Sequence, residues 1–201
     1  MPVSTPLKVG LFGGTFDPPH LGHLRAAQAV ASQVGLQEIL FVVANDPWQK
    51  SDQRVVSPSE VRREMVELLL QGQSGFAVDD REIRRGGPSY TADTLEEIHS
   101  EQPDVDLYLI VGQDSAAAIG ATWQRPEVIF DLATVVVVTR PQAALQKSAL
   151  PSDSIYVEMT PVDVSSSQIR HLASRGESFA QLTTDAVAQF ISAHDLYQGA
   201  P

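Results

Sequence analysis

The 201-residue chain predicts an α/β fold, an open parallel sheet with helices on both faces. Three observations carry that expectation. Strand-like and helix-like segments alternate at least four times, the pattern of a parallel sheet wound by crossover helices. The strand candidates at 39–43, 107–111 and 135–138 are continuous apolar runs, as strands covered on both faces require. The first strand ends on Gly13-Gly14, and a helical pattern follows within a few residues.

Taken in order, Leu7, Val9 and Leu11 alternate and place a short strand at 8–12. After Pro18-Pro19, Leu21, Leu24, Ala27, Ala31 and Val34 recur at helical spacing, closed by Gly35. Strand 39–43 comes next. Ser57-Pro58-Ser59-Glu60 reads as a helix start, with Ser57 as cap, Pro58 in the first helical position and Glu60 three residues after the cap. Val61, Met65, Leu68 and Leu69 give that helix its buried stripe, and Gly72 stops it. A short strand is expected at 76–78, a helix at 91–101 and a strand at 107–111. A short helix at 126–132 leads into strand 135–138. The 140–153 stretch is loop, 155–157 a weaker strand, and helices near 166–174 and 185–194 close the chain. With no linker long enough to separate a second unit, 1–201 is expected to be a single domain.

Composition narrows the function. There are no cysteines, which excludes disulfides and thiolate metal sites. No apolar stretch reaches membrane-spanning length, and the first residues lack a basic-then-apolar signal. A cytoplasmic enzyme is expected. The net charge of -11 argues against a nucleic-acid backbone as main partner. A small anionic substrate remains allowed, because a few focused cations can act within an acidic surface.

In open α/β sheets, ligands bind beyond the carboxyl ends of the strands, where strand order reverses. Chemistry is therefore sought at Gly13, Ala44, Gly112 and Arg140. The first of these ends reads Gly13-Gly14-Thr15-Phe16-Asp17-Pro18-Pro19-His20-Leu21-Gly22-His23-Leu24. The glycines let backbone N–H groups approach an anion, and His20 and His23 share a face at the positive end of a helix. Gly22 would leave room for a ligand above the helix. A polar cap and a metal site using both histidines with Asp17 are the rival readings. The dinucleotide-binding G-x-G-x-x-G is not present here. Strand, double glycine and paired histidines together favour a triphosphate. Far along the chain, Ser165-Ser166-Ser167 offers donors at a helix start, with Arg170 one turn on. That set again suits phosphate oxygens, although ordinary capping accounts for the serines alone.

The short H-x-G-H element resembles the nucleotidyltransferase superfamily, and the longer string resembles the bacterial nicotinate-mononucleotide adenylyltransferases. The resemblance runs from Val9 to Arg170. It takes in Ser89-Tyr90-Thr91-Ala92-Asp93-Thr94-Leu95, Gly112-Gln113-Asp114, Arg140-Pro141 and Val164-Ser165-Ser166-Ser167-Gln168-Ile169-Arg170. Ser167 stands where that family usually has Thr, a change that keeps the hydroxyl. Trp48-Gln49-Lys50 replaces the Pro-His-Lys of many relatives.

The resemblance implies a Rossmann-like sheet of the nucleotidyltransferase type and transfer of adenylyl from ATP to nicotinate mononucleotide, a step of NAD biosynthesis. His20, His23, Arg170 and Lys50 are then the catalytic residues. Gly13, Gly14, Thr15, Phe16, Gly112, Asp114, Arg140 and Ser165 to Ser167 join the two histidines and Arg170 around ATP. Asp17, Lys50, Tyr90, Thr91 and Trp123 receive nicotinate mononucleotide, with Trp123 stacking on the pyridine ring. Mg²⁺ arrives with ATP rather than in a carboxylate cage. Pantetheine-phosphate adenylyl transfer, cytidylyl transfer and a non-catalytic nucleotide sensor are the alternatives. No nucleic-acid or membrane partner is expected, and a homo-oligomer is left open. His99, His171 and His194 fit none of these motifs and are expected on the surface.

Overall fold

The computed structural model describes residues 6–47, 55–139 and 150–198. Six strands, β1 (Leu7–Gly14), β2 (Glu38–Val43), β3 (Phe76–Asp79), β4 (Val105–Gly112), β5 (Ala133–Thr139) and β6 (Ile155–Glu158), form one sheet in the order β3-β2-β1-β4-β5-β6. Every pairing is parallel. The α-helices among the described residues are α1 (Leu21–Val30), α2 (Ser59–Leu69), α3 (Arg81–Arg85), α4 (Thr91–Glu101), α5 (Gln113–Thr122), α6 (Pro126–Leu132), α7 (Ser166–Ser174) and α8 (Asp185–Ala193).

Alternation along each strand sends side chains to opposite faces. Ile39, Phe41 and Val43, with Ile110 and Val136, pack on one face against Leu24, Ala27 and Val30 of α1, Met65 and Leu69 of α2, Ile169 of α7 and Ile191 of α8. Val9, Leu11, Val42, Leu107, Leu109, Val135 and Val137 pack on the other against Leu95 and Ile98 of α4, Ile119 of α5 and Ile129 of α6. Both faces are thus buried, which is why the central strands read as unbroken apolar runs.

Two departures from the sequence reading have physical causes. Pro58 is extended (φ -49, ψ 144), so α2 starts at Ser59 and Ser57 does not cap it. The Ser57 carbonyl accepts a hydrogen bond from Arg62 Nε at 2.8 Å instead. Helices α3 and α5 were not anticipated. The former is a five-residue charged turn, and the latter is so rich in Ala and Gly that it shows little sidedness.

The register opens a crevice. β1 and β4 pair from Leu7↔Val105 only as far as Leu11↔Leu109. Beyond that, β1 stays with β2 to Gly14↔Val43, while β4 stays with β5 to Gly112↔Val138. The two central strands therefore part at their carboxyl ends, at the point where strand order reverses.

Candidate active site

A cleft of about 1160 Å³ fills this crevice. Its walls bring together most of the described residues singled out in the sequence: Gly13 to Asp17, His20, His23, Tyr90, Thr91, Gly112, Asp114, Trp123, Ser166, Ser167 and Arg170. Ser165 is not among them. It is the N-cap of α7, its hydroxyl accepting from the Gln168 N–H at 3.1 Å, so the capping reading describes its contact. Trp48, Lys50, Arg140 and Pro141 lie outside the described residues.

At the start of α1, the His20 and His23 rings stack with centroids 3.7 Å apart. His23 Nδ1 accepts the His20 backbone N–H at 3.1 Å, so a neutral His23 carries its proton on Nε2. Phe16 sets its edge against His23, with centroids 5.0 Å apart, and so braces the pair from the core side. His20 is only 9% exposed, and its Nδ1 is buried with no hydrogen-bond partner. Desolvation lowers its pKa from 6.5 to about 4, and the ring is neutral at physiological pH.

Gly22 lines the cleft, and the structure gives it a second reason besides the ligand room expected of it. A Cβ there would sit 3.0 Å from His20 Nδ1 and 3.1 Å from a Val164 methyl, so the glycine admits the histidine ring itself. Gly14 is similar, since a Cβ would come within 2.8 Å of the Phe16 ring. At Gly13 an added Cβ would meet nothing within 4 Å.

The loop between β1 and α1 is held from far along the chain. Ser166 Oγ donates to the Pro18 carbonyl at 2.8 Å, and Thr183 Oγ1 to the Pro19 carbonyl at 3.0 Å. Arg170 donates to the Asp17 carbonyl at 2.7 Å and to Ser167 Oγ at 3.0 Å, which fixes its guanidinium at the cleft wall. The Asp17 carboxylate, 1% exposed, accepts from the Tyr197 hydroxyl at 2.7 Å. Burial, with the Asp17 charge second, pushes the Tyr197 phenol well above its usual pKa, so it remains a donor.

Arg62 is a residue the sequence reading passed over. It is 1% exposed, and its guanidinium donates to the carbonyls of Ser57 (2.8 Å), Thr15 (2.8 Å) and Asn45 (3.0 Å). It thereby ties the turn after β1 to the turn after β2. A signal existed: Arg62, Met65, Val66 and Leu69 follow the i, i+3, i+4, i+7 spacing of a buried stripe, and all four are buried. A lone arginine on such a stripe is expected to serve backbone carbonyls.

At the other end of the cleft, α4 begins at Thr91 with Tyr90 as N-cap, and no side chain caps it. Its first N–H groups lack intrahelical acceptors, as at any helix start. Ser89 Oγ instead accepts from the Asn45 N–H at 2.9 Å, linking the strand-β2 turn to this segment. Thr94 Oγ1 donates to the buried Glu82 at 2.7 Å and fixes the first turn of α4 on α3. Trp123, half-buried, packs against the core on this side of the sheet and lines the cleft. His99, His171 and His194 are exposed, away from these walls.

Among the described residues, no three His, Asp or Glu side chains are grouped so as to hold a metal ion, and no helix is long and apolar enough to cross a membrane.

Comparison with known proteins bears on this geometry. The cytidylyltransferase-like family matches residues 11–172. A curated relative from Nocardioides sp., named nicotinate-nucleotide adenylyltransferase, is 43% identical over 189 residues, covering 92% of this chain and 91% of its own. One of the same name from Streptomyces coelicolor is 41% identical, covering 93% of this chain and 99% of its own. Among solved structures, the nicotinic acid mononucleotide adenylyltransferase of Plasmodium falciparum complexed with NaAD superposes with a TM-score of 0.79 at 16% identity. That superposition covers 94% of this chain and 97% of the other, and it establishes the fold.

Proposed function

The chain belongs to the cytidylyltransferase-like family and, within it, to the nicotinate-nucleotide adenylyltransferases; from that premise we propose that it transfers the adenylyl group of ATP to nicotinate mononucleotide. The products are nicotinate adenine dinucleotide and pyrophosphate. The observation that carries this reading is His20: a nine-tenths-buried ring with an orphaned nitrogen, stacked on a second histidine at a helix start, on the wall of the crevice. The ring lines the cleft, so phosphate oxygens placed there meet it at the positive end of α1.

In this reading the phosphate of the mononucleotide attacks the α-phosphorus in line and pyrophosphate leaves. The nucleophile arrives ionised, so no protein base is needed, and catalysis is positioning with charge stabilisation. The His20 and His23 rings donate N–H bonds to the phosphate oxygens of ATP, reinforced by the positive end of α1. Arg170 and Ser167, fixed beside the β1–α1 loop, close the clamp. Gly13 and Gly14 present backbone, Ser166 holds the loop, and Gly112 and Asp114 receive the nucleoside, a role that Arg140 shares in this reading. Mg²⁺ would enter with ATP and offset the charge on its phosphates.

The acceptor lies toward α4. The uncapped N–H groups near Thr91 suit a pyridine carboxylate, Trp123 offers a face to the ring, and Lys50 draws in the mononucleotide phosphate. The test is pyrophosphate release from ATP, measured with nicotinate mononucleotide, nicotinamide mononucleotide and phosphopantetheine in parallel. Release with the nicotinate compound is expected. Release with phosphopantetheine alone, or none at all, overturns the reading.

A further inference from the structure

Arg125 follows Trp123 by two residues and stands outside every motif read from the sequence. Its backbone is left-handed (φ 50, ψ 55) at the N-cap of α6, which turns the chain so that the guanidinium reaches α4. There it pairs with Asp93, and with both carboxylate oxygens of Glu96 at 2.8 and 3.0 Å. Asp93 lies in the first turn of α4, beside the N–H groups that Tyr90 and Thr91 bring to the cleft.

This arrangement creates a conflict and its remedy. A ligand carboxylate placed at the start of α4 gains from the free N–H groups and the helix dipole, but it is opposed by Asp93 in the same turn. Glu96, one turn further, adds to the opposition. Arg125 pairs with both and offsets one unit of that charge, leaving the trio one unit negative rather than two. A ligand carrying a neutral carboxamide at that position feels little of either effect. The same ion pairs hold the Trp123 turn against α4, so the guanidinium has a packing consequence and a charge consequence that can be separated.

We infer that Arg125 sets the preference of this site for an acidic over a neutral pyridine substituent, by offsetting the Asp93 and Glu96 charges next to the carboxylate. The inference rests on the pyridine-mononucleotide reading. Arg125 is a positioning and specificity residue, with no contact to the reacting atoms required of it.

The experiment compares kcat/KM for nicotinate and nicotinamide mononucleotide in the parent, Arg125→Gln, Asp93→Asn and the double variant. Arg125→Gln should lower the acid-to-amide preference about three- to tenfold, through KM for the acid, with KM for ATP unchanged. Asp93→Asn should move the preference the opposite way, and the double variant should return near the parent. The Arg125→Gln shift should shrink in about 0.5 M salt, where exposed charges are screened. Equal losses with both mononucleotides overturn the inference and leave Arg125 a packing residue. A fall in preference in Asp93→Asn overturns it as well, and that variant carries the test if Arg125→Gln does not fold. If the parent enzyme turns over neither mononucleotide, the functional reading itself has failed, and that outcome is distinct from a variant effect.

Discussion

Replacing Arg62 with leucine should destabilise the protein by about 3–5 kcal/mol. The magnitude follows from three contacts, Nε to the Ser57 carbonyl and the two terminal nitrogens to the Thr15 and Asn45 carbonyls, at 2.8, 2.8 and 3.0 Å. Hydrogen bonds from a charged donor contribute roughly 1.5–3 kcal/mol each, and a buried carbonyl left without a donor costs about 1–3 kcal/mol. Summed naively, the loss exceeds 5 kcal/mol. The leucine offsets part of it, because it no longer requires a guanidinium to be desolvated. At roughly 2–4 °C per kcal/mol for a chain of this size, the melting temperature should fall by about 6–20 °C. Calorimetric or circular-dichroism melting, with urea titration as a second measure, reads this directly. Arg62→Lys should recover only a minor part, since a single ammonium cannot serve three divergent carbonyls. A leucine variant melting within 2 °C or so of the parent would show that the three carbonyls find other donors, and would refute the argument.

The other expectations concern the cleft. His20→Ala should lower turnover about 10²–10³-fold, the scale of one lost transition-state donor, while the melting curve stays cooperative; unchanged pyrophosphate release would remove His20 from the mechanism. Because burial lowers the His20 pKa from 6.5 to about 4, its neutral form is favoured by folding. That contribution is whole above pH 6.5 and is lost as pH falls from 6.5 toward 4, so His20→Asn should show a smaller acid-induced drop in stability than the parent. Gly22→Ala puts a methyl 3.0 Å from the His20 ring and should impair kcat more than stability; a variant with full kcat would mean that the ring can move without consequence. Tyr197→Phe strips a donor from the buried Asp17 carboxylate and should cost about 1–3 kcal/mol in urea unfolding, a loss that Tyr197→Ala must equal or exceed.

Much of the fold was legible because two periodicities dominate the sequence. Strands buried on both faces leave unbroken apolar runs, and α4, α6 and α7 begin and end where the sequence pattern places them. What stayed hidden had weak or contrary local signals. Ala-rich α5 has little sidedness, and Ser57-Pro58 looks like a cap until tertiary contact with Arg62 claims the serine carbonyl. The cleft residues were legible as types at spacings, yet their support was not. That Asp17 meets Tyr197, or that Asp93 meets Arg125, depends on pairings across 180 and 32 residues, which no local pattern encodes. Gly22 was singled out for ligand room, and its closeness to the His20 ring is a second constraint that spacing did not disclose.

The tethering of the β1–α1 loop by Ser166, Arg170, Thr183 and Tyr197 has a consequence in time as well as in space. The residues synthesised first acquire their working shape only after partners some 148 to 180 positions later have been made and docked. A nascent chain lacking the residues from α7 onward can begin its sheet but lacks these four tethers on the His20 loop, so partial products should remain inert toward nucleotide. By the same coupling, a nucleotide bound at the loop stabilises the docking of the last two helices. Protection of α8 from protease by ATP would then report that the first turn of the chain is occupied.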